Sequence, residues 1–240
     1  MNKFLLYLIL IVSVDSIYGQ GINYQKSFDN ALTQAGKSNK PVFILLTPPM
    51  DNVPKGVNFA SGLDSKSTIN FYNKNFVSYR ASLMDPGAAK PRFFFHPTVF
   101  PCYIFLDVKG QIIYKASGNY SETEKYMDIA KQALKRIAFG RTISHFDQLD
   151  KQGKINGKQL REYITLKEEL DLFDNAALID KYVNFLTVKE FDDYNQVLFI
   201  LKAGPYANGK AYNFSHSNQK IIDSIYKKEP LELRLSLIHI

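Results

Sequence analysis

The sequence predicts an α/β fold, a mixed central sheet flanked by helices on both faces, followed by an all-helical C-terminal region. Three observations predict it. Residues 41–46 (PVFILL) are a continuous apolar run of strand length, the pattern of a central strand buried on both faces. Residues 102–115 spell a hairpin, with CYIFL as one strand, DVKG as the turn and QIIYK as its partner. Segments of helical periodicity lie between and after these strands, and beyond about Arg141 no strand of comparable quality occurs.

In chain order, the pattern from Asn23 is that of an amphipathic helix, with Phe28, Ala31, Leu32 and Ala35 at helical spacing and a stop at Gly36 and the polar run 37–40. The apolar run follows, then a loop containing Pro48, Pro49 and Pro54. A short helix is expected over 67–75 and an alternating strand over 76–83. Residues 85–97, rich in Pro and Gly, read as a loop. After the hairpin, Gly118 and Ser121 introduce a helix to about Ala138, with Tyr126, Ile129, Ala130, Ala133, Leu134 and Ile137 on one face and Gly140 as its terminator. Further on, Leu160, Tyr163, Ile164, Leu166, Leu170 and Phe173 mark one helix, 177–186 another, 194–202 a third and 221–226 the start of a fourth. No clean repeat period accompanies them.

Composition narrows the function. A chain of 240 residues, 45% hydrophobic and 14% aromatic, has ample material for a packed core, which excludes a disordered chain. The formal charge is +7, but basic residues sit among acidic ones, as in Lys167-Glu168-Glu169 and Lys227-Lys228-Glu229. That mixing describes a solvated surface, and no nucleic-acid footprint is expected. The start of the chain carries Lys3, an apolar run over 4–14 and a small residue, Gly19, before Gln20. The run would span roughly 16 Å as a helix, about half a bilayer core. It therefore reads as a cleavable signal peptide over 1–19, giving a periplasmic or secreted product without stable membrane insertion. No Cys follows the run to serve as a lipoprotein attachment point. The one cysteine, Cys102, permits no intramolecular disulfide. Inside the apolar string 100–106, with nothing basic nearby in sequence to lower its pKa, it reads as a buried small hydrophobe.

The order helix, strand, helix, strand, hairpin, helix is joined by three local signatures: KPVFILL at 40–46, NFV at 75–77, and FPCYIFLD at 100–107 with Gly110 and Gly118. Together they resemble the thioredoxin-like superfamily, especially exported Bacteroidetes-type thioredoxin-family proteins with a helical C-terminal tail. The resemblance covers 23–140, about half the chain. It implies a thioredoxin-like domain over 20–140 and a helical C-terminal region over 141–233. Counting without gaps from Lys40 and Pro41, the positions of the family's CxxC motif hold Asp51, Asn52, Val53 and Pro54. Thiol–disulfide exchange needs a low-pKa thiolate and a second, resolving thiol. Asp51 is no sulfur nucleophile, Pro54 has no side-chain donor, and no Cys lies between Met1 and Phe100. The family's buried acidic proton shuttle is replaced by Leu45. Pro101 stands at the position of the family's cis-proline, and Phe100 at the backbone position that pairs with extended substrate peptide. Two plainer roles stand beside these: Pro101 as a shaper of the strand start, and Asp51 as a helix N-cap.

Other chemistry finds little support. His96, His145, His216 and His239 are far apart, without Cys or carboxylate partners at ligand spacing, so no metal site is expected. There is no Gly-rich phosphate loop, Gly-x-Ser-x-Gly or His-Glu-x-x-His motif, and no cofactor is expected. The pairs Asp171 and Asp174, and Asp192 and Asp193, read as solvated helix surface. Residues 191–226 loosely resemble the helical tails of the same exported proteins, and packing against the first domain is expected of them. Residues 235–240 (LSLIHI) resemble translated sequencing adapter, so 234–240 are expected to be a non-native tail and the helical region to be truncated near Leu233. The resulting expectation is a redox-inactive, non-enzymatic protein of the bacterial envelope. It would bind a peptide or protein partner through Phe100, Pro101, Pro49, Met50 and Asp51. The rivals are an oxidoreductase relative acting through Cys102 alone and a purely structural envelope component.

Overall fold

The computed structural model describes residues 21–49 and 58–229. The expectations that fall on Met50, Asp51, Asn52, Val53 and Pro54, on the leader 1–19 and on the tail 234–240 lie outside the described residues.

The first part of the chain runs β1 (Tyr24–Gln25), α1 (Phe28–Ser38), β2 (Val42–Thr47), α2 (Lys66–Asn75), β3 (Val77–Ser82), α3 (Ala89–Phe95), β4 (Cys102–Leu106), β5 (Ile112–Ser117) and α4 (Thr123–Ala138). The strands form one sheet in the order β1-β3-β2-β4-β5. β1, β3 and β2 are parallel, while β4 runs antiparallel to β2 and β5 antiparallel to β4. β2 is buried at every position because it is paired on both edges and covered on both faces. Local chemistry sets the flanking helix α1: the Ser27 side chain accepts from the Asn30 N–H at its start, and Asn39 closes it in the left-handed conformation.

Alternation along the strands divides the core in two. On one face Phe43, Leu45, Tyr103 and Phe105 meet Tyr72 and Phe76 from α2 and its C-cap, and Tyr126, Ile129, Ala130 and Ala133 from α4. On the other, Val42, Ile44, Leu46, Cys102, Ile104 and Leu106 meet α1 and α3. That second cluster continues as far as Phe214 into the C-terminal helices, the last of which packs in a separate cluster through Ile222 and Ile225. These are α5 (Ile143–Lys151), α6 (Gly157–Glu169), α7 (Ala176–Tyr182), α8 (Tyr194–Lys202), α9 (Lys210–His216) and α10 (Gln219–Lys228).

A polar seam fixes the helical region to the β4–β5 hairpin. Ser144 donates to Gln111 Oε1 at 2.8 Å and also to the Asp107 carboxylate. Asp147 accepts from Gln111 Nε2 at 3.4 Å and from the Tyr163 hydroxyl. Lys115 of β5 pairs with Asp171, which follows α6. Arg136 of α4 pairs with Glu169 at 2.6 Å, its guanidinium 5.0 Å from the centre of the Tyr114 ring.

The elements differ from the sequence reading in four places. The first helix begins at Phe28, because Tyr24 and Gln25 pair with Ser78 and Tyr79 of β3. Residues 85–97 are not a loop throughout: a 3-10 turn over Pro86–Ala88 leads into α3. Pro86 and Pro91 are tolerated there because each lies in a first turn, where backbone N–H groups have no helical acceptor. The helix marked by Leu160 ends at Glu169, leaving Phe173 outside it and exposed. Helices α5 and α9 have no counterpart in the sequence reading; α9 owes its start to Asp180 of α7, which accepts from the Ala211 N–H at 2.9 Å.

Candidate functional site at the proline end of the sheet

The register brings four strand ends to one end of the sheet. Leu46 opposes Cys102 across β2 and β4, Cys102 opposes Ser117 across β4 and β5, and Thr47 lies beside Ser82 of β3. Pro48 and Pro49 therefore leave the sheet at the same end at which Phe100 and Pro101 arrive. The Ser82 hydroxyl donates to the Pro48 carbonyl at 3.5 Å, and the Leu83 N–H to the Thr47 carbonyl at 2.8 Å.

The Phe100–Pro101 peptide bond is cis. The Pro101 carbonyl accepts from the Gly118 N–H at 3.0 Å, and the Tyr103 hydroxyl donates to the Gly118 carbonyl at 2.8 Å. Gly118 holds φ at +126°, a conformation open to glycine and few other residues. Pro101 is buried, whereas Phe100 is half-buried, its ring side leaning on the aliphatic core. Asn119 accepts from the Ala60 N–H at 2.9 Å and so ties residues 58–60 to the same end. Of the residues singled out in the sequence, Phe100, Pro101 and Pro49 thus share one end.

Cys102 begins β4 and turns toward the aliphatic face, with none of its surface exposed. Burial pushes its thiol above the ordinary 9.0. A hydrogen bond with Ser117 and the charge of Lys115 act the other way without overcoming it, and Asp171 adds to the rise. Lys115 is itself committed to Asp171. The arrangement is that of a buried thiol; a nucleophilic cysteine needs a stabilised thiolate and access. Leu45 points to the opposite, aromatic face and is buried among rings, so its position supplies no proton.

Among the described residues, no three His, Cys, Asp or Glu side chains gather as a metal site, and no helix is long and apolar enough to cross a membrane. The seam around Asp147 was not legible in the sequence. Its members come from positions 107, 111, 144, 147 and 163, with no local motif joining them. Burial, and then the bond to Asp147, hold the Tyr163 phenol well above its ordinary value. Glu168 is likewise raised by burial, and its Oε1 has no hydrogen-bond partner among the described residues.

A five-stranded mixed sheet of this order and pairing, with helices on both faces, defines the class: the protein has a thioredoxin-like fold, extended by a helical C-terminal region. No protein-family profile matches the sequence, and no curated protein matches it. Among solved structures the chain is similar to the DsbH oxidoreductase, at 17% identity and a TM-score of 0.40, over 52% of this chain and 92% of that one. It is similar to a thioredoxin from Thermus thermophilus at 15% identity and a TM-score of 0.41, over 49% and 90% of the two chains. A thioredoxin-like protein from Clostridium perfringens gives 17% identity and a TM-score of 0.34, over 52% and 91%.

Proposed function

We propose that this is a redox-inactive thioredoxin-fold protein of the bacterial envelope that binds a peptide or protein partner at the sheet end formed by Phe100, Pro101 and Pro49. On the sequence reading, Met50 and Asp51 belong to the same surface. The observation that carries the loss of redox chemistry is Cys102. It is the one thiol in the sequence, it is wholly buried, and its burial disfavours the thiolate. Dithiol exchange needs a second thiol, and a single-cysteine mechanism needs an accessible thiolate. The envelope assignment is supported by the basic end and apolar run of residues 1–19. Partner binding is supported by the half-buried Phe100, whose backbone precedes the cis bond at the end of the sheet where β4 begins.

Thiol labelling of the native chain with an aromatic disulfide reagent tests the reading. Cys102 is expected to stay unreacted in buffer and to react fully once guanidinium unfolds the chain. Ready labelling of the native protein at neutral pH, or accelerated insulin reduction by dithiothreitol, would instead favour an oxidoreductase relative acting through Cys102.

A further inference from the structure

Helix α3 carries three phenylalanines in succession, Phe93, Phe94 and Phe95. Neighbouring positions on an α-helix are about 100° apart, so three consecutive rings cannot all face one core. Phe95 takes the inward position, 8% exposed, its ring 6.4 Å from that of Phe28. Phe94 and Phe93 remain 54% and 72% exposed, with Met84 and Val99 exposed nearby in sequence. Each outer ring lines a hollow. Phe93 borders one of about 510 Å³ with Ala89, Arg92 and His96. Phe94 borders another of about 310 Å³ with Phe28, Leu32, Lys109 and Ile143. Gly110, at φ +81°, lines this second hollow too, and a methyl group there would meet Leu32 at 3.2 Å.

The charges around these hollows are of one sign. Their linings include the cations Arg92 and Lys109 and no carboxylate. Carboxylates of neighbouring segments are already engaged. Asp29 pairs with Lys90 at 2.7 Å, Asp85 accepts from the Ser82 N–H at 2.8 Å, and Asp107 accepts from the N–H groups of its own turn. Neither Arg92 nor Lys109 has an ion-pair partner among the described residues. Apolar surface rimmed by cations that form no ion pair among the described residues is complementary to an acidic polypeptide with large apolar anchors.

We propose that α3 is a docking element for a partner protein's acidic segment, which places one apolar side chain in each hollow and carboxylates against Arg92 and Lys109. The proposal extends the partner-binding reading to a surface other than Phe100 and Pro101. The thiol-labelling outcome bears only on redox chemistry and leaves it standing.

The test is fluorescence anisotropy with the full chain and two labelled probe peptides, each carrying a pair of phenylalanines, flanked by glutamates in one and by lysines in the other. The glutamate peptide is expected to bind saturably, and Phe93→Ser with Phe94→Ser to weaken it by at least about tenfold. Circular dichroism and melting should be unchanged in that variant, since both rings are exposed. Should it misfold, Arg92→Glu with Lys109→Glu is the deciding variant: it should weaken the glutamate peptide and strengthen the lysine peptide. Absence of glutamate-peptide binding, equal binding of both peptides, or indifference to these substitutions overturns the proposal. So does sedimentation showing that the chain pairs with itself through the same two rings.

Discussion

The two faces of the sheet are closed by different means. The face toward α2 and α4 is aromatic and draws all its cover from residues before 140. Phe43 lies 4.6 Å from Tyr72 and 5.2 Å from Phe105, ring centre to ring centre. Its hydroxyls are spent internally: Tyr72 donates to the Tyr126 carbonyl and Tyr126 to the Tyr120 carbonyl, both at 2.8 Å. Gly62 lets its 3-10 turn lie flush on this layer, since a Cβ there would stand 2.6 Å from the Tyr126 ring. The opposite face is largely aliphatic, shares its cluster with helices as far along as α9, and is joined to them by charged and polar pairs at the hairpin. Buried hydroxyls with fixed partners make a layer hard to open. The aliphatic face, by contrast, contains Cys102, supports Phe100 and anchors α3, so these three rest on the side with the more composite cover.

The largest expected effect that probes this contrast is alkaline. Burial holds the phenols of Tyr72 and Tyr103 well above their ordinary 10.0, with further rises from Tyr24 and Tyr126 for Tyr72 and from the bond to Tyr126 for Tyr103. Below about pH 10 the phenols are protonated in both folded and unfolded chains, and their stabilising effect is fully present. Above it the unfolded chain releases protons that the folded one retains, so stability falls as pH rises, by about 1.4 kcal/mol for each group and each pH unit. The share of phenolate absorbance due to Tyr72 and Tyr103, read among the fifteen tyrosines as the difference from Tyr72→Phe with Tyr103→Phe, should therefore appear together with loss of circular dichroism. That difference absorbance in a chain with native dichroism would mean that the aromatic layer is open to water.

A smaller effect is expected from Phe105→Ala, which empties the centre of the aromatic face and should cost about 3–5 kcal/mol in chemical denaturation. A loss below about 1 kcal/mol would show that the layer collapses around the gap and lacks the rigidity assigned to it. Smaller again is Asp171→Asn on the seam of the aliphatic face. Asn tolerates the left-handed backbone that Asp171 adopts at φ +58°. The substitution thus removes the charge from beside Lys115, whose side chain is 11% exposed, at a cost of about 1–3 kcal/mol. Lys115→Met should be nearly neutral, because an apolar side chain avoids the desolvation that the pair only partly offsets. If Asp171→Asn is as neutral as Lys115→Met, the pair does not hold the helical region to β5.

Much of the sheet was legible because its signals are local. The run at 41–46 and the hairpin around Asp107 and Gly110 specify their own conformations, and Phe100-Pro-Cys located the proline end. The unread elements depend on partners remote in sequence. Helix α9 is capped from Asp180, Tyr24 and Gln25 are strand only because β3 lies alongside, and α5 is held through Ser144 and Asp147. Helix α3 was obscured by prolines that read as loop and by three rings with no helical periodicity. Cys102 could be placed in the core from its apolar neighbours alone. Its closeness to Lys115 and Asp171 could not, because that requires the pairing of β4 with β5 and the docking of the turn after α6.

The shared cluster has a consequence in time. The sheet is complete once Ser117 has been made, but the cluster that continues from its aliphatic face extends to Phe214. At ribosomal speeds of about 5–20 residues per second, the roughly 100 residues between them take on the order of 5–20 s to emerge. From the emergence of Ala133 onward within that interval, the nascent chain carries a finished aromatic layer on one side and an unfinished aliphatic one on the other. A chaperone that visits the chain during synthesis would meet it on the side of α1 and α3.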